Sequence, residues 1–351
     1  MRLMNLDKRI KAFAGLGEAL RKGLTGADVS ISRLNDLIST QHFKNQWFTP
    51  DNVRMALEAI AGNLTEENII KWTSSYPDLD KNREPVTIGV IMAGNIPLVG
   101  FHDFLSVLIA GNNIIAKTSS KDSELILFIS EILCRINPEF KDKISFTEGF
   151  LTGFDGIIAT GSNNSSRYFE YYFGRYPNII RKNRNSIAVI EGDESDSELQ
   201  GLGTDIFSYF GLGCRNISKI FIPRGYDLSK LIINLEAHSQ IVNHSKYANN
   251  YDFSKAIYLI NRIAFLDTGY LLLKEDSGLS SPVAVLYYEY YESPEKVTEI
   301  IHEINGKIQC ITGKKHIPPG RAQMPDLWDY ADGIDTIDFM LKKFSYGNIV
   351  K

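Results

Sequence analysis

The sequence has 351 residues, 44% of them hydrophobic and 23% charged, with a formal net charge of −4 at pH 7. This composition is ordinary for a soluble globular protein, and the length allows two domains with apolar cores that need no disulfide or metal. The acidic balance argues against nucleic acid as a partner. The most apolar stretch, residues 86–111, is interrupted by Asn95, Pro97, His102 and Asp103, which excludes a simple membrane span.

The cysteines and histidines show no spacing typical of a disulfide framework or a metal site. Cys134, Cys214 and Cys310 are an odd, unpaired set, which indicates free thiols in a reducing compartment. The six histidines lack metal-ligand spacing, so we predict no metal. Residues 1–23 carry charges throughout and predict an amphipathic helix rather than a signal peptide. We therefore expect a cytoplasmic protein.

Hydrophobic periodicity predicts helices first and alternating strands and helices afterwards. Apolar residues at three-to-four spacing predict helices over 7–22, 29–39 and 51–60. Continuous β-branched runs at 86–92 and 112–117 predict buried strands, with a helix predicted over 98–109 between them. Residues 143–149 and 154–162 repeat the pattern of strands with helices between them. Strands alternating with helices in this way are typical of an α/β fold with parallel sheets covered on both faces.

A second unit follows, with predicted strands at 186–191, 217–223, 281–291 and 307–313 and a helix over 228–238. We predict that residues 1–190 form N-terminal helices plus a nucleotide-binding domain and that 191–330 form a catalytic domain. Residues 331–351 are predicted to pack back on the first domain.

Three turns follow predicted strands of the first domain: residues 93–97 (AGNIP), 117–120 (KTSS) and 160–162 (TGS). Ligands of parallel α/β sheets bind at the carboxyl ends of the strands. The convergence of three such turns predicts a ligand site there.

Cys214 lies in the glycine turn GLGCRN just before an apolar strand. A thiolate in a turn is favoured by nearby backbone N–H groups and stays reachable, so this position indicates a nucleophile rather than a buried hydrophobe. Cys134, inside a helical pattern, and Cys310, inside a strand, are better explained as small core residues.

The other candidates each have a structural alternative. Asn95 can donate to developing negative charge, but by itself it is more simply a turn residue. Lys117, with the hydroxyls that follow it, suits either a helix cap or a phosphate. Gly161-Ser162 is a weak anion-site signal because no GxGxxG motif is present. Glu191 is either a general base or part of a solvated acidic loop.

The ordered series of these motifs resembles the aldehyde dehydrogenase superfamily over residues 84–290. The last motif of this series is Ser281-Pro282-Val283. Within that superfamily, residues 94–112 and the C-terminal segment 320–340 (GRAQMPDLWDYADGIDTIDFM) are similar to LuxC-type acyl-CoA reductases, the fatty acid reductases of bacterial luminescence.

The resemblance implies an aldehyde-dehydrogenase-like fold with a dinucleotide-binding domain, a catalytic domain and an N-terminal helical region. It implies that Cys214 attacks an acyl thioester, that Asn95 and the N–H of Cys214 stabilise the oxyanion, and that Glu191 completes the catalytic set. A reduced nicotinamide then supplies hydride and an aldehyde leaves. The implied cofactor-binding residues are Met92, Ala93, Lys117, Ser119, Ser120, Thr160, Gly161, Ser162, Ser165 and Gly192.

Departures from the superfamily pattern refine this hypothesis. Ser120, followed by Lys121, stands where NAD-preferring relatives carry a glutamate, so we predict NADPH as the cofactor. Gly278 replaces the glutamate of the nicotinamide-ribose contact, for which Glu275 or Asp276 could substitute. Glu191 lies 23 residues before Cys214, closer than oxidising relatives place their hydrolytic base.

The leading hypothesis is an NADPH-dependent reductase of an acyl-CoA or acyl-carrier thioester, with an acyltransferase or synthetase partner and a homodimeric state as further expectations. The alternatives are an NAD(P)-dependent dehydrogenase that oxidises an aldehyde to the acid, and a non-redox acyl-binding subunit that carries an acyl group on Cys214.

Overall fold

A computed structural model describes residues 4–27, 32–81 and 84–344, and it divides the chain into two units. The first unit joins residues 1–182 to 326–351, and the second unit consists of residues 183–325. The predicted boundary at 190/191 is corrected to 182/183 because the strand Asn185–Val189 pairs within the sheet of the second unit. The C-terminal boundary likewise moves from 330/331 to 325/326.

The first unit begins with four helices, each of which buries an apolar face in the core of the unit: α1 (Leu6–Leu24), α2 (Arg33–Thr40), α3 (Pro50–Asn63) and α4 (Glu66–Thr73). The side chains of Asn5, Thr49 and Thr65 cap α1, α3 and α4 by accepting from backbone N–H groups of the first turn. The helices predicted over 7–22 and 51–60 are confirmed. Of the helix predicted over 29–39, residues 29–31 lie outside the described residues and the rest is α2.

Strands and helices then alternate: β1 (Thr87–Ile91), α5 (Phe101–Ile109), β2 (Asn113–Lys117), α6 (Glu124–Ile136), β3 (Ile144–Thr147), β4 (Gly156–Thr160), α7 (Asn163–Phe173) and β5 (Asn178–Arg181). The five strands are all parallel, in the order β3-β2-β1-β4-β5. The chain therefore builds the sheet outward from β1 on one side and then on the other. The predicted parallel α/β architecture is confirmed.

The second unit contains a six-stranded sheet and four helices: β6 (Asn185–Val189), α8 (Asp196–Phe207), β7 (Ile217–Pro223), α9 (Leu228–Leu235), α10 (Ser245–Ile260), β8 (Leu266–Asp267), β9 (Leu272–Glu275), β10 (Val285–Tyr291), α11 (Pro294–Ile304) and β11 (Ile308–Thr312). The strand order is β11-β6-β7-β10-β9-β8, parallel except for β8 against β9. Successive residues of a strand point to opposite faces. Ile220 and Ile222 accordingly join the core with α8 and α9, whereas Phe221 joins the core with α11.

Residues 326–344 return to the first unit and end in α12 (Thr336–Lys343). Buried Tyr330 accepts a hydrogen bond from Trp72 Nε1 at 2.7 Å, and its hydroxyl lies 2.7 Å from that of Tyr76. Tyr76 donates in turn to Asp335, the N-cap of α12, at 2.6 Å. This chain of bonds fixes the C-terminal segment to α4.

A buried ion pair reinforces the same region. Arg181, at the end of β5, pairs with Asp103 in the first turn of α5, and both side chains are almost fully buried. Arg181 also donates to Thr336 Oγ1 at 3.1 Å. Removing one member of such a pair would leave an uncompensated buried charge, so β5, α5 and α12 are tied together. Within the described ranges, no helix is long and apolar enough to cross a bilayer.

We predict that Tyr330→Phe lowers the free energy of unfolding of the first unit by about 2 kcal/mol, because Trp72 Nε1 loses its acceptor in a buried site. Trp47, Trp72 and Trp328 all belong to this unit, so a urea titration followed by tryptophan fluorescence reports on it. The matched control is Tyr171→Phe, whose side chain is 83% exposed and should change stability by less than about 0.5 kcal/mol. Equal effects of the two variants would contradict the role given to Tyr330.

Candidate active site

The carboxyl edge of the first sheet brings together the three turns predicted to bind a ligand. β1 lies between β2 and β4, and all three strands run in the same direction. The turns that follow them are therefore neighbours at one edge, although up to about seventy residues of chain separate them. Seven of the ten candidate cofactor-binding residues lie in these turns. Met92 directly precedes the first turn, Ser165 lies in the first turn of α7, and Gly192 belongs to the second unit.

In the turn after β1, Asn95 is exposed, whereas Met92 and Leu98 on either side of the turn are buried. Met92, buried at the start of the turn, donates its N–H to the carbonyl of Lys117 at 3.0 Å. Buried Asn45 donates from Nδ2 to the carbonyl of Gly94 at 3.4 Å. Leu98 has a φ of +58° and is buried, so the chain turns sharply there before α5 begins at Phe101. The helix predicted from Leu98 therefore begins three residues later.

The turn after β2 packs against the turn after β1. A Cβ atom on Gly94 would lie 2.4 Å from Ser119 Oγ, so only glycine allows this approach. Ser119 Oγ accepts from the N–H of Lys121 at 3.2 Å, which closes a local turn. Ser120 and Lys121 are exposed, and the Nζ of half-buried Lys117 lies 5.9 Å from the ring centroid of Phe150.

Asp122 ends the turn after β2 and is buried beneath it. Its Oδ2 accepts from the N–H of Leu98 at 2.7 Å. Burial raises the pKa of this carboxyl to about 7, partly opposed by the hydrogen bond from Leu98. Asp122 therefore joins the turn after β2 to the turn after β1.

The turn after β4 leads into the N-terminus of α7. Ser162 caps that helix by accepting from the N–H of Ser165 at 3.2 Å. A Cβ atom on Gly161 would lie 2.9 Å from the Cβ of Ser165 and 2.8 Å from Phe169, so the turn depends on glycine. Thr160 precedes this turn as the last residue of β4.

These turns fit a dinucleotide. Glycines at 94 and 161 allow close backbone approach, an eleven-residue helix presents its N-terminus, and Lys117, Ser119 and Ser162 supply donors at the same edge. Backbone N–H groups at a helix start, together with a lysine, suit phosphate groups. The exposed pair Ser120-Lys121 adds hydroxyl and ammonium donors without a carboxylate.

The turn that carries Cys214 is built from a left-handed backbone segment. Tyr209 and Phe210 have φ values of +51° and +59°, and Gly211 follows at +76°. Two consecutive non-glycine residues in this region are strained, and such strain persists only where the surroundings enforce it. Cys214 itself is exposed.

Buried Asn216 enforces this conformation. Its Nδ2 donates to the carbonyls of Ser208 at 2.7 Å and Asp205 at 3.0 Å, and its Oδ1 accepts from the N–H of Gly213 at 2.8 Å. One side chain therefore closes the loop from the end of α8 to the residue before Cys214.

Two further contacts orient the peptide of Cys214. Ser186, fully buried in β6, donates from Oγ to the carbonyl of Cys214 at 2.8 Å. The same Oγ accepts from the N–H of Cys310 at 3.1 Å, so β11 supports the turn as well. Arg215, the next residue, donates from Nε to the carbonyl of Ala322.

Asp205 binds the backbone of residues 320–322, the start of the C-terminal segment 320–340. It is fully buried and accepts from the N–H groups of Gly320 at 2.7 Å and Ala322 at 3.0 Å. Burial raises its pKa to about 6, against the opposing effect of these two bonds. The segment thus holds both α8 and Arg215.

Glu191 does not lie beside Cys214. It follows the carboxyl end of β6, whereas Cys214 precedes the amino end of β7, and the two strands are parallel neighbours. The length of β6, about 15 Å, separates those ends. Glu191 instead pairs with Lys315 at 3.1 Å. The structure therefore does not bring Glu191 together with Cys214.

Gly192 lies in the same turn as Glu191, and its N–H donates to Glu194 Oε2 at 3.0 Å. Asp276, one of the two substitutes considered for the absent glutamate, has its carboxylate engaged by Lys274 and by the N–H of Gly278 at 2.7 Å. Both candidates thus already have partners in the second unit. Among the described residues, no group of three or more His, Cys, Asp or Glu side chains is arranged to hold a metal ion.

The sequence pattern did not point to four residues that shape the two sites: Asp122, Asn216, Ser186 and Asp205. Asn216 offered a signal, since an asparagine two residues after a turn cysteine can bond back to the turn backbone. The hydrogen-bond partners of the side chains of Asp122, Ser186 and Asp205 are 24 to 124 residues distant in the chain, so local patterns could not reveal them.

The family model described as acyl-CoA reductase (LuxC) matches residues 36–281, which include Asn95, the three turns and Cys214. A comparison with curated proteins gave no significant match.

Solved structures similar to this chain include aldehyde dehydrogenases. A putative aldehyde dehydrogenase from Burkholderia cenocepacia is 14% identical, with a TM-score of 0.63 over 85% of this chain and 72% of that one. Aldehyde dehydrogenase 21 from Physcomitrella patens, complexed with succinate, is 13% identical, with a TM-score of 0.64 over 89% and 74%. A Mycobacterium tuberculosis aldehyde dehydrogenase complexed with NAD⁺ is 15% identical, with a TM-score of 0.61 over 85% and 71%. The chain has the aldehyde dehydrogenase fold.

We predict that Asp122→Asn stabilises the first unit increasingly as the pH rises. With its pKa raised from 3.8 to about 7, folded Asp122 keeps its proton between these pH values while the unfolded chain has lost it. Raising the pH through this window therefore favours unfolding of the wild type. From pH 5 to pH 8 the free energy of unfolding of the variant should gain about 2 kcal/mol relative to the wild type.

The measurement is the urea titration by tryptophan fluorescence at both pH values. Asp155→Asn serves as control, because Asp155 also accepts from a backbone N–H, that of Thr87 at 2.8 Å, but is exposed. A difference between wild type and Asp122→Asn that stays constant with pH would refute the shifted pKa.

Proposed function

This chain belongs to the acyl-CoA reductase (LuxC) family, and from that membership we propose that it reduces a fatty acyl thioester to the aldehyde through an acyl group held on Cys214. We propose NADPH as the reductant. The acyl donor is acyl-CoA or an acyl-carrier thioester.

The observation that carries the proposal is an exposed cysteine on a turn held by buried side chains. Cys214 is exposed, while Asn216 and Ser186, which hold its turn, are 3% and 0% exposed. A nucleophile must be reachable, and it acts best when its backbone does not have to reorganise during the reaction. A cysteine kept only for core packing would be buried.

In the proposed first step the thiolate of Cys214 attacks the carbonyl carbon of the acyl thioester. The carbonyl oxygen becomes an oxyanion, which accepts hydrogen bonds from the N–H of Cys214 and from Nδ2 of Asn95. When the oxyanion collapses, the bond to the donor sulfur breaks and the donor leaves as a thiolate. The product is a thioester on Cys214.

The proposed cofactor site is the carboxyl edge of the first sheet. Met92 and Ala93 line the turn after β1, Lys117 and Ser119 hold ribose hydroxyls, and the helix start at Ser162 and Ser165 receives phosphate oxygens, with Thr160 and Gly161 forming the approach. Exposed Ser120 and Lys121 receive the 2′-phosphate. When bound, the reduced nicotinamide supplies the hydride that takes the acyl group to the aldehyde level.

Reduction completes the cycle without hydrolysis. Once the acyl carbon has been reduced, its oxygen is again held by Asn95 and the N–H of Cys214. The carbon–sulfur bond then breaks, which releases the aldehyde and returns the thiolate of Cys214. No water is activated, so the reaction needs no carboxylate base, in keeping with the pairing of Glu191 with Lys315 away from Cys214.

The proposal extends to partners and location. The thioester donor implies an enzyme that loads the acyl group, an acyltransferase or a synthetase, as the source of substrate. We further propose a homodimer that works in the cytoplasm, since thioester chemistry on a cysteine thiolate suits a reducing compartment.

We predict that Cys214→Ala abolishes the oxidation of NADPH by a panel of acyl-CoA esters, because the acyl group has no nucleophile to receive it. Loss of absorbance of NADPH measures turnover, and the chain length that gives the highest rate identifies the substrate. Cys134→Ala is the matched control: Cys134 is a half-buried cysteine in α6, and its removal should leave turnover within about twofold. Turnover that survives in Cys214→Ala would disprove the mechanism.

The same assay separates the alternatives. An acyl adduct on Cys214, seen by mass spectrometry, without any consumption of NADPH would favour an acyl-binding subunit. Oxidation of a free aldehyde to the acid, without CoA, would favour a dehydrogenase.

We predict that Lys121→Glu lowers the ratio of kcat/KM with NADPH to kcat/KM with NADH by at least about tenfold, because a carboxylate repels the 2′-phosphate. Lys141→Glu makes the same change of charge on an exposed lysine that precedes β3, where the strands have their amino ends, remote from the proposed cofactor site. That control should leave the ratio unchanged. Equal ratios for both variants and the wild type would remove Lys121 from the cofactor site.

A further inference from the structure

The turns after β1 and β2 form one body rather than two separate loops. They touch at Gly94 and Ser119, where a Cβ atom would collide at 2.4 Å. Two hydrogen bonds join them as well: the N–H of Met92, at the start of the turn after β1, donates to the carbonyl of Lys117, and the N–H of Leu98, at the end of that same turn, donates to Asp122 beyond β2. A shift of either turn must therefore move or break its contacts with the other.

The bond at Leu98 holds the part of the turn that is under strain. Leu98 is a buried leucine with a φ of +58°, a conformation unfavourable for a side chain with a Cβ atom. Its carbonyl accepts from the N–H of Phe101 at 2.9 Å, which starts α5, and its N–H reaches Asp122 at 2.7 Å. Without Asp122 this buried N–H would lack its acceptor, and the strained conformation would lose the contact that compensates it.

Asp122 acts on the turn through one oxygen alone. Its Oδ2 holds Leu98, while its Oδ1 is buried and has no hydrogen-bond partner among the described residues. Ser119 is tied to the same residue, since the N–H of Asp122 donates to the carbonyl of Ser119 at 3.0 Å. The carboxyl of Asp122 thus lies between exposed Asn95 in one turn and half-buried Ser119 and exposed Ser120 in the other.

We propose that Asp122 is a positioning residue that fixes the turn carrying Asn95 against the turn carrying Lys117, Ser119 and Ser120. An interaction that orders the second turn then also orders the first, so binding at the cofactor turn steadies the amide that meets the oxyanion. The effect on the reaction rests on the proposed function, whereas the mechanical link between the turns does not.

The kinetic test compares Asp122→Ala with Asp122→Asn. Alanine removes the acceptor of Leu98, whereas asparagine keeps an oxygen in place for it. The rate of acylation of Cys214 by acyl-CoA, followed by mass spectrometry after rapid quenching, should fall about 10- to 100-fold in Asp122→Ala. It should stay within about threefold of wild type in Asp122→Asn, and the KM for acyl-CoA should change little in either. Asp155→Ala, which removes the carboxylate that binds Thr87 at the other end of β1, should behave as wild type.

The structural test is hydrogen exchange of the peptide that spans 92–101, read by mass spectrometry on the full chain. Exchange should be faster in Asp122→Ala and unchanged in Asp122→Asn. Addition of NADP⁺ should slow exchange of this peptide in the wild type and in Asp122→Asn but not in Asp122→Ala. If Asp122→Ala does not yield folded protein, Asp122→Ser, whose hydroxyl is too short to replace the carboxylate oxygen, takes its place in both measurements.

The outcomes separate the two hypotheses. A wild type that forms no acyl-enzyme, together with faster exchange in Asp122→Ala, rejects the proposed function and keeps the link. Equal exchange of 92–101 in wild type and Asp122→Ala overturns the link. Acylation of Asp122→Ala at the wild-type rate overturns its role in the reaction. A loss in Asp122→Asn equal to that in Asp122→Ala also overturns the proposal, because the oxygen held for Leu98 would then not be what matters.

Discussion

The parallel pairing of β1 with β2 on one side and with β4 on the other is the constraint on which the candidate cofactor site depends. Parallel neighbours require a crossover between them, and here α5 and α6 provide it while burying the faces of the sheet. All strands then end at one edge, where the chain turns back. Residues remote in sequence become neighbours there without any direct attraction between them. The contact of Gly94 with Ser119 and the bond from Asp122 to Leu98 refine an arrangement that strand direction has already imposed.

Much of the fold could be predicted from local pattern. The β-branched runs that became β1 and β2 are continuous and long enough to be recognised, and the alternation with amphipathic helices indicates a parallel sheet. β5, β8 and β9 were not predicted, because each has only two to four residues. The start of α5 was placed too early because an apolar pattern does not show that Leu98 takes a left-handed conformation.

The candidate site was predictable in composition but not in geometry. Glycines around Cys214 suggested a turn, yet the left-handed pair Tyr209-Phe210 follows no sequence rule and depends on the buried amide of Asn216. For Glu191, spacing along the sequence did not reveal its position in the fold. A distance of 23 residues was compared with that of relatives, although a residue after one parallel strand and a residue before the next must lie at opposite ends of the pair. The separation of Glu191 from Cys214 therefore follows from strand direction and cannot be read from their spacing in the sequence.

The order in which the chain is synthesised has a consequence for its folding. The first unit is interrupted by the whole second unit, and its bonds from Trp72 to Tyr330 and from Arg181 to Thr336 join residues that precede the second unit to residues that follow it. A chain made only as far as residue 325 contains the whole sheet and both cores of the second unit, whereas its first unit still lacks residues 326–344. Such a chain can complete its second unit before its first, the reverse of the usual N-terminal-first order.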